Sequence, residues 1–385
     1  MVADASITPE GACPLMIQAS PHPCLLLFAI EAEDFLDLVK KSKKRITNVT
    51  NKGGFFMLTK RQNLLETIHG GKPDRYVNQY EAFAMLFNNP HSMHDPAPEY
   101  GKPPVKNAWG ITKVWPEGTP GAFPIHDEEH IVCKDITKWR ETVHAPRLDY
   151  SDAEWEPFIK EAEKIDRNEY FVTQFIAPGI FEQCHYLQEI QNALINFYEE
   201  PEYTQELIDY LTEWELEYAE KICKYIKPDA LFHHDDWGSQ NSTFISPDMF
   251  EEFILPSYKK IYGYYKSHGV ELIVHHSDSY AATLVPYMID MGIDIWQGTM
   301  SSNNIPELIQ KYGDKITIMG GIDSASVDRP DWTPELVEKE VRRVCEENGT
   351  KFFIPCITQG LGISTFPGVY ETASEVIDKI SKEKF

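Results

Sequence analysis

Two short polar clusters in this sequence each combine histidine with aspartate, and both directly follow an apolar run. The cluster HHDD occupies residues 233–236, and the cluster HHSD occupies residues 275–278. Imidazole and carboxylate side chains in such density supply general acids, general bases and metal ligands. Because structural packing explains one such ending more easily than two, we expect catalytic roles in the first cluster for His234, Asp235 and Asp236.

The chain between the clusters determines how they lie relative to each other. A polar loop leads to an amphipathic run at 247–268, which predicts a helix with Ser246 as its N-cap. Two strands joined by a crossover helix lie parallel and adjacent, so both clusters should emerge at one carboxyl edge of the sheet. Proteins with alternating strands and helices place their sites at this edge.

The same alternation of strand and helix continues along most of the chain. Strand-like runs lie at 170–175, 230–233, 272–275, 293–297, 316–319 and 352–355, and helical patterns separate them at 183–198, 204–227, 247–268, 280–291, 305–312 and 334–348. Further helices are predicted at 59–69, 152–167 and 368–382. Most of these helices end at glycine, and no dinucleotide-binding fingerprint is present. This pattern predicts an α/β fold, a closed (β/α)8 TIM barrel rather than an open sheet.

An aromatic stretch rich in proline and glycine, residues 88–146, interrupts the alternation near the start of the barrel. A loop-rich stretch of this length is either a functional insertion or an ordinary cover for the barrel end. As an insertion, it offers Trp109, Phe123 and His126 to shape a substrate pocket. Glu81 precedes it among apolar neighbours and needs a partner, either backbone, substrate or a metal.

Composition narrows the class of partner. The formal net charge of −24 would repel nucleic acid and anionic membrane surfaces, so a small molecule or another protein is expected instead. No apolar run reaches the roughly 18 residues needed to cross a bilayer. Seven cysteines without paired spacing, in a sequence with no signal-peptide pattern, indicate a reducing cytoplasm. A homodimer is left open.

Residues 1–56 are expected to lie outside the barrel, which we predict to occupy residues 57–385. Lys52-Gly53-Gly54 precedes Met57, and one codon reading of Lys-Gly-Gly is a purine-rich ribosome-binding sequence. Met57 is therefore a candidate natural start. The alternative is a genuine but loosely packed N-terminal extension.

From Met57 onward the chain resembles the uroporphyrinogen decarboxylase superfamily, which includes corrinoid-linked methyltransferases. The motifs that carry the resemblance are KRQNLLETIHGGKPDR, FIAPG, DDWGSQNSTFISPDMFEEFILPSYKKI, HSDS, GIDIWQG and IMGGID. The resemblance implies a barrel enzyme whose site lies among the loops that carry these motifs. The expected substrate-binding residues are Glu81, Trp109, Phe123, His126, His275 and Gln297.

Two branches of this superfamily imply different chemistry. The decarboxylases use an arginine-bearing segment after the first helix to hold substrate carboxylates, but here that segment contains Arg75 and no second arginine. The methyltransferases resemble one another in a His-x-Cys pattern completed by a later cysteine. Matched to that pattern, this chain offers His276, Asp278 in place of the central cysteine, and Cys356, all three of which are legitimate zinc ligands.

The methyltransferase resemblance implies that a small methoxy or methylamine donor gives its methyl group to a corrinoid carried by a separate protein. Zinc, or an acid, would stabilise the leaving heteroatom. Three alternatives stay open at this point: a cofactor-free tetrapyrrole decarboxylase, a glycosidase using Asp236 and Glu81, and a barrel that binds its ligand without turnover.

Overall fold

The computed structural model describes residues 57–117, 119 and 121–385. The expectation that residues 1–56 form a separate extension concerns a segment outside these described residues.

A curved parallel sheet forms the centre of the molecule. Its seven strands pair in the order in which they occur in the chain. They are β1 (Phe83–Leu86), β5 (Phe171–Ile176), β6 (Ala230–His234), β7 (Leu272–His276), β8 (Ile295–Thr299), β9 (Thr317–Ile322) and β10 (Phe353–Ile357). The helices between them complete the α/β architecture, and the predicted TIM-barrel fold class is confirmed.

The barrel differs from the expectation where its first and last strands face each other. Within the described residues, β1 and β10 share no strand ladder, and the non-strand segment 76–82 lies between them. Gln79 is fully buried there, and its side-chain oxygen accepts from the Ile357 N–H at 3.2 Å. A side chain therefore supplies a hydrogen bond that an eighth strand would make. Gln79 has φ of 51°, a backbone conformation outside the strand region, so β1 begins only at Phe83.

The helices agree with the predicted pattern to within a few residues at most ends. Those of eight residues or more are α1 (Lys60–Ile68), α4 (Asp152–Glu163), α5 (Ile180–Gln188), α6 (Ile190–Glu199), α7 (Pro201–Tyr225), α9 (Leu255–Ser267), α11 (Ile305–Tyr312), α13 (Pro334–Asn348) and α14 (Val369–Lys384). The shorter ones are α2 (Pro90–Met93), α3 (Trp139–Thr142), α8 (Pro247–Met249), α10 (Val285–Asp290) and α12 (Ser324–Val327). Short 3-10 turns lie at Ile136–Lys138, Ala282–Leu284 and Ser301–Asn303.

The helix predicted at 247–268 is divided where proline interrupts it. Ser246 caps its start as predicted, accepting from the Met249 N–H. A π-helical turn, Phe250–Ile254, then precedes α9, in which Pro256 occupies the first turn. Proline has no N–H to donate to the preceding turn, and the wider π turn accommodates this gap.

The core has two parts, one inside the sheet and one between sheet and helices. Inside the barrel, one residue from each of several strands meets at the axis, namely Phe171, Phe232, Val274, Ile295, Met319 and Ile354. The outer face of each strand packs on the helices, so the strands are buried on both faces. No helix in the described part of the chain is long and apolar enough to span a membrane.

The stretch at 88–146 contains more regular structure than its composition predicted. Three short antiparallel strands, β2 (Val105–Lys106), β3 (Thr112–Val114) and β4 (Phe123–Pro124), form a small second sheet. Trp109 and Trp115 are buried in this segment. The insertion is thus a packed element that can form a rigid wall.

Candidate functional site

The two polar clusters meet at the carboxyl edge of the sheet, as their strand positions predicted. In the parallel pairing of β6 and β7, His233 lies opposite His275 and His234 lies opposite His276. The imidazole rings of His234 and His276 have centroids 4.4 Å apart. Alternation along the strands separates the two pairs, because successive side chains point to opposite faces.

One group of side chains at this edge is arranged as metal ligands would be. In the part of the chain that the structure describes, His234, Asp236 and His276 each offer a ligand atom, and these atoms lie within 4.8 Å of one another. Two imidazoles and one carboxylate form an ordinary donor set for zinc and leave a coordination position open. The residues present therefore fit a catalytic zinc ion.

This set shares only His276 with the predicted ligands His276, Asp278 and Cys356. The Asp278 backbone N–H donates to Asp236 Oδ1 at 2.9 Å, so Asp278 lies beside the group and its N–H orients a member of it. Cys356 is fully buried in β10, and the Gln297 amide donates towards its sulfur at 3.9 Å. The Gln297 side chain, which contacts both His276 and Cys356, lies between these two residues and keeps Cys356 out of the group.

Gln297, predicted to bind substrate, instead connects His276 to β10. Its side-chain oxygen forms a short hydrogen bond with His276 Nδ1, and its amide nitrogen donates to the Ile357 carbonyl at 3.4 Å. Because the amide oxygen can only accept, Nδ1 of His276 carries the proton, and the Nε2 lone pair is free to bind a metal. Gln297 is fully buried, and its hydrogen bond to Nδ1 holds the His276 ring in place.

Carboxylates surround His234. Its Nε2 lies 3.3 Å from Glu182 Oε2 and 3.5 Å from Asp236 Oδ2. Burial alone would lower the pKa of His234, but the charges of Glu182 and Asp236 together raise that pKa well above its usual value. In the absence of a metal ion, His234 is therefore held as a cation.

The pKa values of Asp236 and Asp278 are shifted in opposite directions. Burial opposes ionisation of Asp236, but the His234 hydrogen bond and charge hold the pKa of this carboxyl below its usual range. Burial and the neighbouring Asp236 charge raise the pKa of Asp278 well above its usual value. Like charges at short distance cannot both ionise easily, so Asp236 is the carboxylate of the pair and the better metal ligand.

Asp235, predicted to be catalytic, faces away from this group and caps a helix. Its carboxylate accepts from the backbone N–H groups of Phe181 and Glu182, at 3.0 and 2.7 Å, in the first turn of α5. It also accepts from Trp237 Nε1 at 2.9 Å and from the Tyr258 hydroxyl. Burial raises its pKa to about 7, whereas these donors and the helix dipole favour the carboxylate. We assign Asp235 to positioning the loop and helix that carry Glu182.

A cavity of about 370 Å³, here called the mouth cavity, opens next to His234. The insertion, the loop after β5, helix α5 and helix α7 form its walls. The wall residues used below are His91, Asp95, Trp109, Lys113, Trp115, Glu182, Gln183, Tyr186, Trp214, Glu215, Tyr218 and His234. Among the predicted substrate-binding residues, Trp109 lines this cavity.

The other predicted substrate-binding residues lie elsewhere. Glu81 precedes β1 at the amino end of the sheet, and its carboxylate is 3.8 Å from Arg75. Phe123 is 51% exposed on β4 and is not part of the cavity wall. His126 Nε2 contacts the Tyr186 carbonyl at 3.1 Å and joins the insertion to α5. His275 is fully buried, stacked on Trp237 and bonded through Nδ1 to the Tyr262 hydroxyl at 2.7 Å.

The sequence reasoning missed several charged residues of the cavity wall. Glu182 was placed just before a helix predicted at 183–198, but α5 begins at Ile180 and α6 follows after a break at Glu189, whose φ is 74°. Asp95, Lys113 and Glu215 come from the insertion and from α7. The signals in the sequence that pointed to this wall were the FIAPG motif before Glu182 and the aromatic insertion that contains Trp109.

Gly360 provides a test of how closely His276 is confined. A Cβ atom at Gly360 would lie 3.1 Å from Cε1 of the His276 ring. We therefore expect Gly360→Ala to tilt His276 and weaken zinc binding by about tenfold, the size of effect found when the support of a metal ligand is disturbed. Gly362→Ala is the matched control, since its Cβ would meet Tyr370 at an ordinary 3.4 Å. Equal zinc affinity of both variants, measured by competition with a chelator, would contradict this placement of the loop.

Comparisons with known proteins agree with the fold. A family model described as uroporphyrinogen decarboxylase (URO-D) matches residues 175–378. Among solved structures, the chain is similar to a methyltransferase from Methanosarcina mazei, with a TM-score of 0.60 and 14% identity over 84% of this chain and 99% of that chain. A protein from Anabaena variabilis described as a sugar phosphate isomerase/epimerase matches at a TM-score of 0.30 and 11% identity, over 60% of this chain and 92% of that one, too low to support an argument. No curated protein matches the chain.

Proposed function

The chain belongs to the uroporphyrinogen decarboxylase family, and on that premise we propose that it is an enzyme that transfers a methyl group from a small methylated donor to a corrinoid carried by a partner protein. The observation that carries this proposal is the grouping of His234, Asp236 and His276 beside a small, aromatic-walled cavity that His234 lines. We place the reaction in the cytoplasm, where the free cysteines Cys133, Cys184, Cys223, Cys345 and Cys356 would stay reduced.

The charge of the mouth cavity supports methyl transfer over decarboxylation of a tetrapyrrole. Among the described residues of the cavity wall, Lys113 is the one lysine or arginine, whereas Asp95, Glu182 and Glu215 are acidic. A tetrapyrrole bears many carboxylates and needs several cationic side chains to hold it. A volume of about 370 Å³ also suits a donor of modest size.

Zinc, if it binds here, would be held by His234, Asp236 and His276, with the buried Glu182 carboxylate next to His234 as a further oxygen donor. The chemistry that zinc supplies when bound is Lewis acidity towards a heteroatom. The chain itself supplies the orientation of these ligands. Gln297 fixes the tautomer of His276, and the Asp278 N–H holds Asp236.

The reaction breaks the bond between the methyl carbon and the donor heteroatom. The electron pair of that bond stays on the heteroatom, and the methyl group joins the reduced corrinoid, which supplies the new pair. The heteroatom gains negative charge as the methyl group leaves. The ligand group with zinc bound, or in the absence of zinc the His234 cation, would lower the barrier by stabilising that charge. The aromatic walls at Trp109 and Trp115 exclude water and restrict the donor to an orientation in line with the corrinoid.

The proposal is tested by mixing the purified protein with cobalamin reduced by titanium(III) citrate and a panel of methoxyarenes and methylated amines. We expect the absorption spectrum of the reduced corrinoid to convert to that of methylcobalamin with at least one donor. Conversion should require the protein. The same spectral rate with and without protein, for every donor of the panel, would overturn the proposal.

A further inference from the structure

The mouth cavity carries an excess of negative charge that the proposed reaction does not itself require. Three acidic residues line it. Asp95 lies two residues after the end of α2, Glu182 lies in α5, and Glu215 lies in α7. Among the described residues, none of these three carboxylates forms an ion pair with lysine or arginine. Their charged neighbours within ion-pair distance are histidines, His234 for Glu182 and His233 for Glu215, and Glu182 also accepts from the Tyr186 hydroxyl at 2.8 Å. Against these three carboxylates the described part of the wall offers one lysine, Lys113, so acidic side chains outnumber basic ones around a ligand.

Several polar atoms of this wall are buried without a hydrogen-bond partner. They are Nδ1 of His91, Oε2 of Glu182, Nε2 of Gln183 and Oε1 of Glu215, all in residues no more than 7% exposed. Two of these atoms have a histidine nearby but outside hydrogen-bond geometry. Glu182 Oε2 lies 3.3 Å from His234 Nε2, and Glu215 Oε1 lies 2.8 Å from His233 Nε2. Unsatisfied buried polar atoms are costly, and their concentration around one cavity indicates that a polar ligand completes them.

The same wall presents aromatic rings to the cavity. Trp214 stands edge-on to Trp109 with ring centroids 5.0 Å apart, and it packs against Tyr218 at 5.3 Å. His91 contacts both Trp214 and Tyr218 at 5.2 Å. Fixed rings of this kind hold a flat apolar group by stacking, and their faces also attract cations.

We propose that the methyl donor is an aryl methyl ether that carries a basic amine. This inference rests on the proposed function and names its substrate class. The aromatic ring of the donor packs against the surface that Trp109 and Trp214 form together, the ammonium group binds Asp95 and Glu215, and the ether oxygen faces His234 and the adjacent ligand group. A neutral methoxyarene would leave the carboxylates of the wall unpaired, and an anionic one would be repelled.

Three compounds with the same ring and methoxy groups separate these cases by the group at the end of the side chain, which is cationic, absent or anionic. They are 3,4-dimethoxyphenethylamine, the neutral 4-ethyl-1,2-dimethoxybenzene and the anionic 3,4-dimethoxyphenylacetate. Binding to the full chain without corrinoid, measured by calorimetry, should be at least about tenfold tighter for the amine than for the neutral compound, the value of one charge-assisted hydrogen bond. The acid should bind more weakly than either. Equal or tighter binding of the neutral or anionic compound would overturn the inference.

Two variants test whether the carboxylates of the cavity wall cause the preference for the amine. Asp95→Asn keeps the oxygen that accepts from the Ala108 N–H at 2.7 Å but loses the charge. We expect this variant, and Glu215→Gln, to weaken binding of the amine by about tenfold and to leave the neutral compound unchanged. Glu217→Gln, an exposed change on the same helix, is the matched control. Unchanged binding of the amine by both cavity variants, each confirmed as folded by its melting curve, would contradict the role of these carboxylates.

Different experimental outcomes would refute the substrate class and the proposed methyl transfer. Selective binding of the amine without methyl transfer to reduced cobalamin would refute the proposed function and keep the charge preference. Methyl transfer from the neutral methoxyarene, with no advantage for the amine in binding or in rate, would keep the function and refute the substrate class.

Discussion

Replacing Asp235 with alanine is expected to lower the free energy of unfolding by about 4 kcal/mol, although Asp235 stands in the most catalytic-looking stretch of the sequence. The substitution leaves four buried donors without an acceptor, two of them backbone N–H groups in the first turn of α5. Chemical denaturation followed by circular dichroism measures this effect. Asp235→Ala should therefore destabilise the fold, and any loss of activity should follow from that destabilisation.

Two further substitutions make this test specific. Asp235→Asn retains one acceptor oxygen and should cost less than Asp235→Ala. Asp236→Asn changes the neighbouring carboxylate, which is partly exposed, and should alter stability by no more than about 1 kcal/mol. If Asp235→Ala were as stable as the parent protein but inactive, Asp235 would be a catalytic group, as its position in the HHDD cluster predicted.

Replacing His276 with alanine is expected to weaken zinc binding by at least about a hundredfold and to abolish methyl transfer, since one of three protein ligands is removed. His234→Ala and Asp236→Ala should do the same. Zinc content after dialysis, measured by atomic absorption alongside the melting temperature, separates loss of the metal from loss of the fold.

Cys356 distinguishes this ligand set from the one that the family resemblance implied. Cys356→Ser alters a buried thiol that contacts the Gln297 amide rather than the ligand group, so the variant should keep most of its zinc. A loss of zinc in Cys356→Ser equal to that in His276→Ala would contradict the assignment. It would mean that β10 supplies a ligand after a local rearrangement around Gln297.

The sequence predicted the barrel well because its signals are local and repeated. Helices α11 and α13 have the predicted bounds, and Ser246 caps the helix that joins the two clusters. The pairing of His234 with His276 also followed from strand order, since parallel neighbours end at one edge. Where polar and apolar residues alternate with the period of a helix or a strand, the sequence alone is sufficient to predict that element.

The site was less predictable because it depends on which way a side chain points and on contacts between distant segments. Asp235 and Asp236 are consecutive, yet one caps α5 and the other joins His234 and His276 in the ligand group. Gln297 lies between His276 and Cys356 only because of the order and curvature of the strands. The charge of the mouth cavity arises from Asp95, Glu182 and Glu215, which no sequence spacing connects.

The most direct test of methyl transfer is a comparison of two reactions under one set of conditions. The protein is incubated with reduced cobalamin and ¹³C-methoxy-labelled 3,4-dimethoxyphenethylamine or ¹³C-methoxy-labelled 1,2-dimethoxybenzene, and separately with uroporphyrinogen. We predict that nuclear magnetic resonance will show the labelled methyl group on cobalt with at least one donor, that the signal will be lost in His276→Ala, and that uroporphyrinogen will release no carbon dioxide. Stoichiometric carbon dioxide from uroporphyrinogen, with no label on cobalt from either donor, would contradict the account and identify the chain as a decarboxylase.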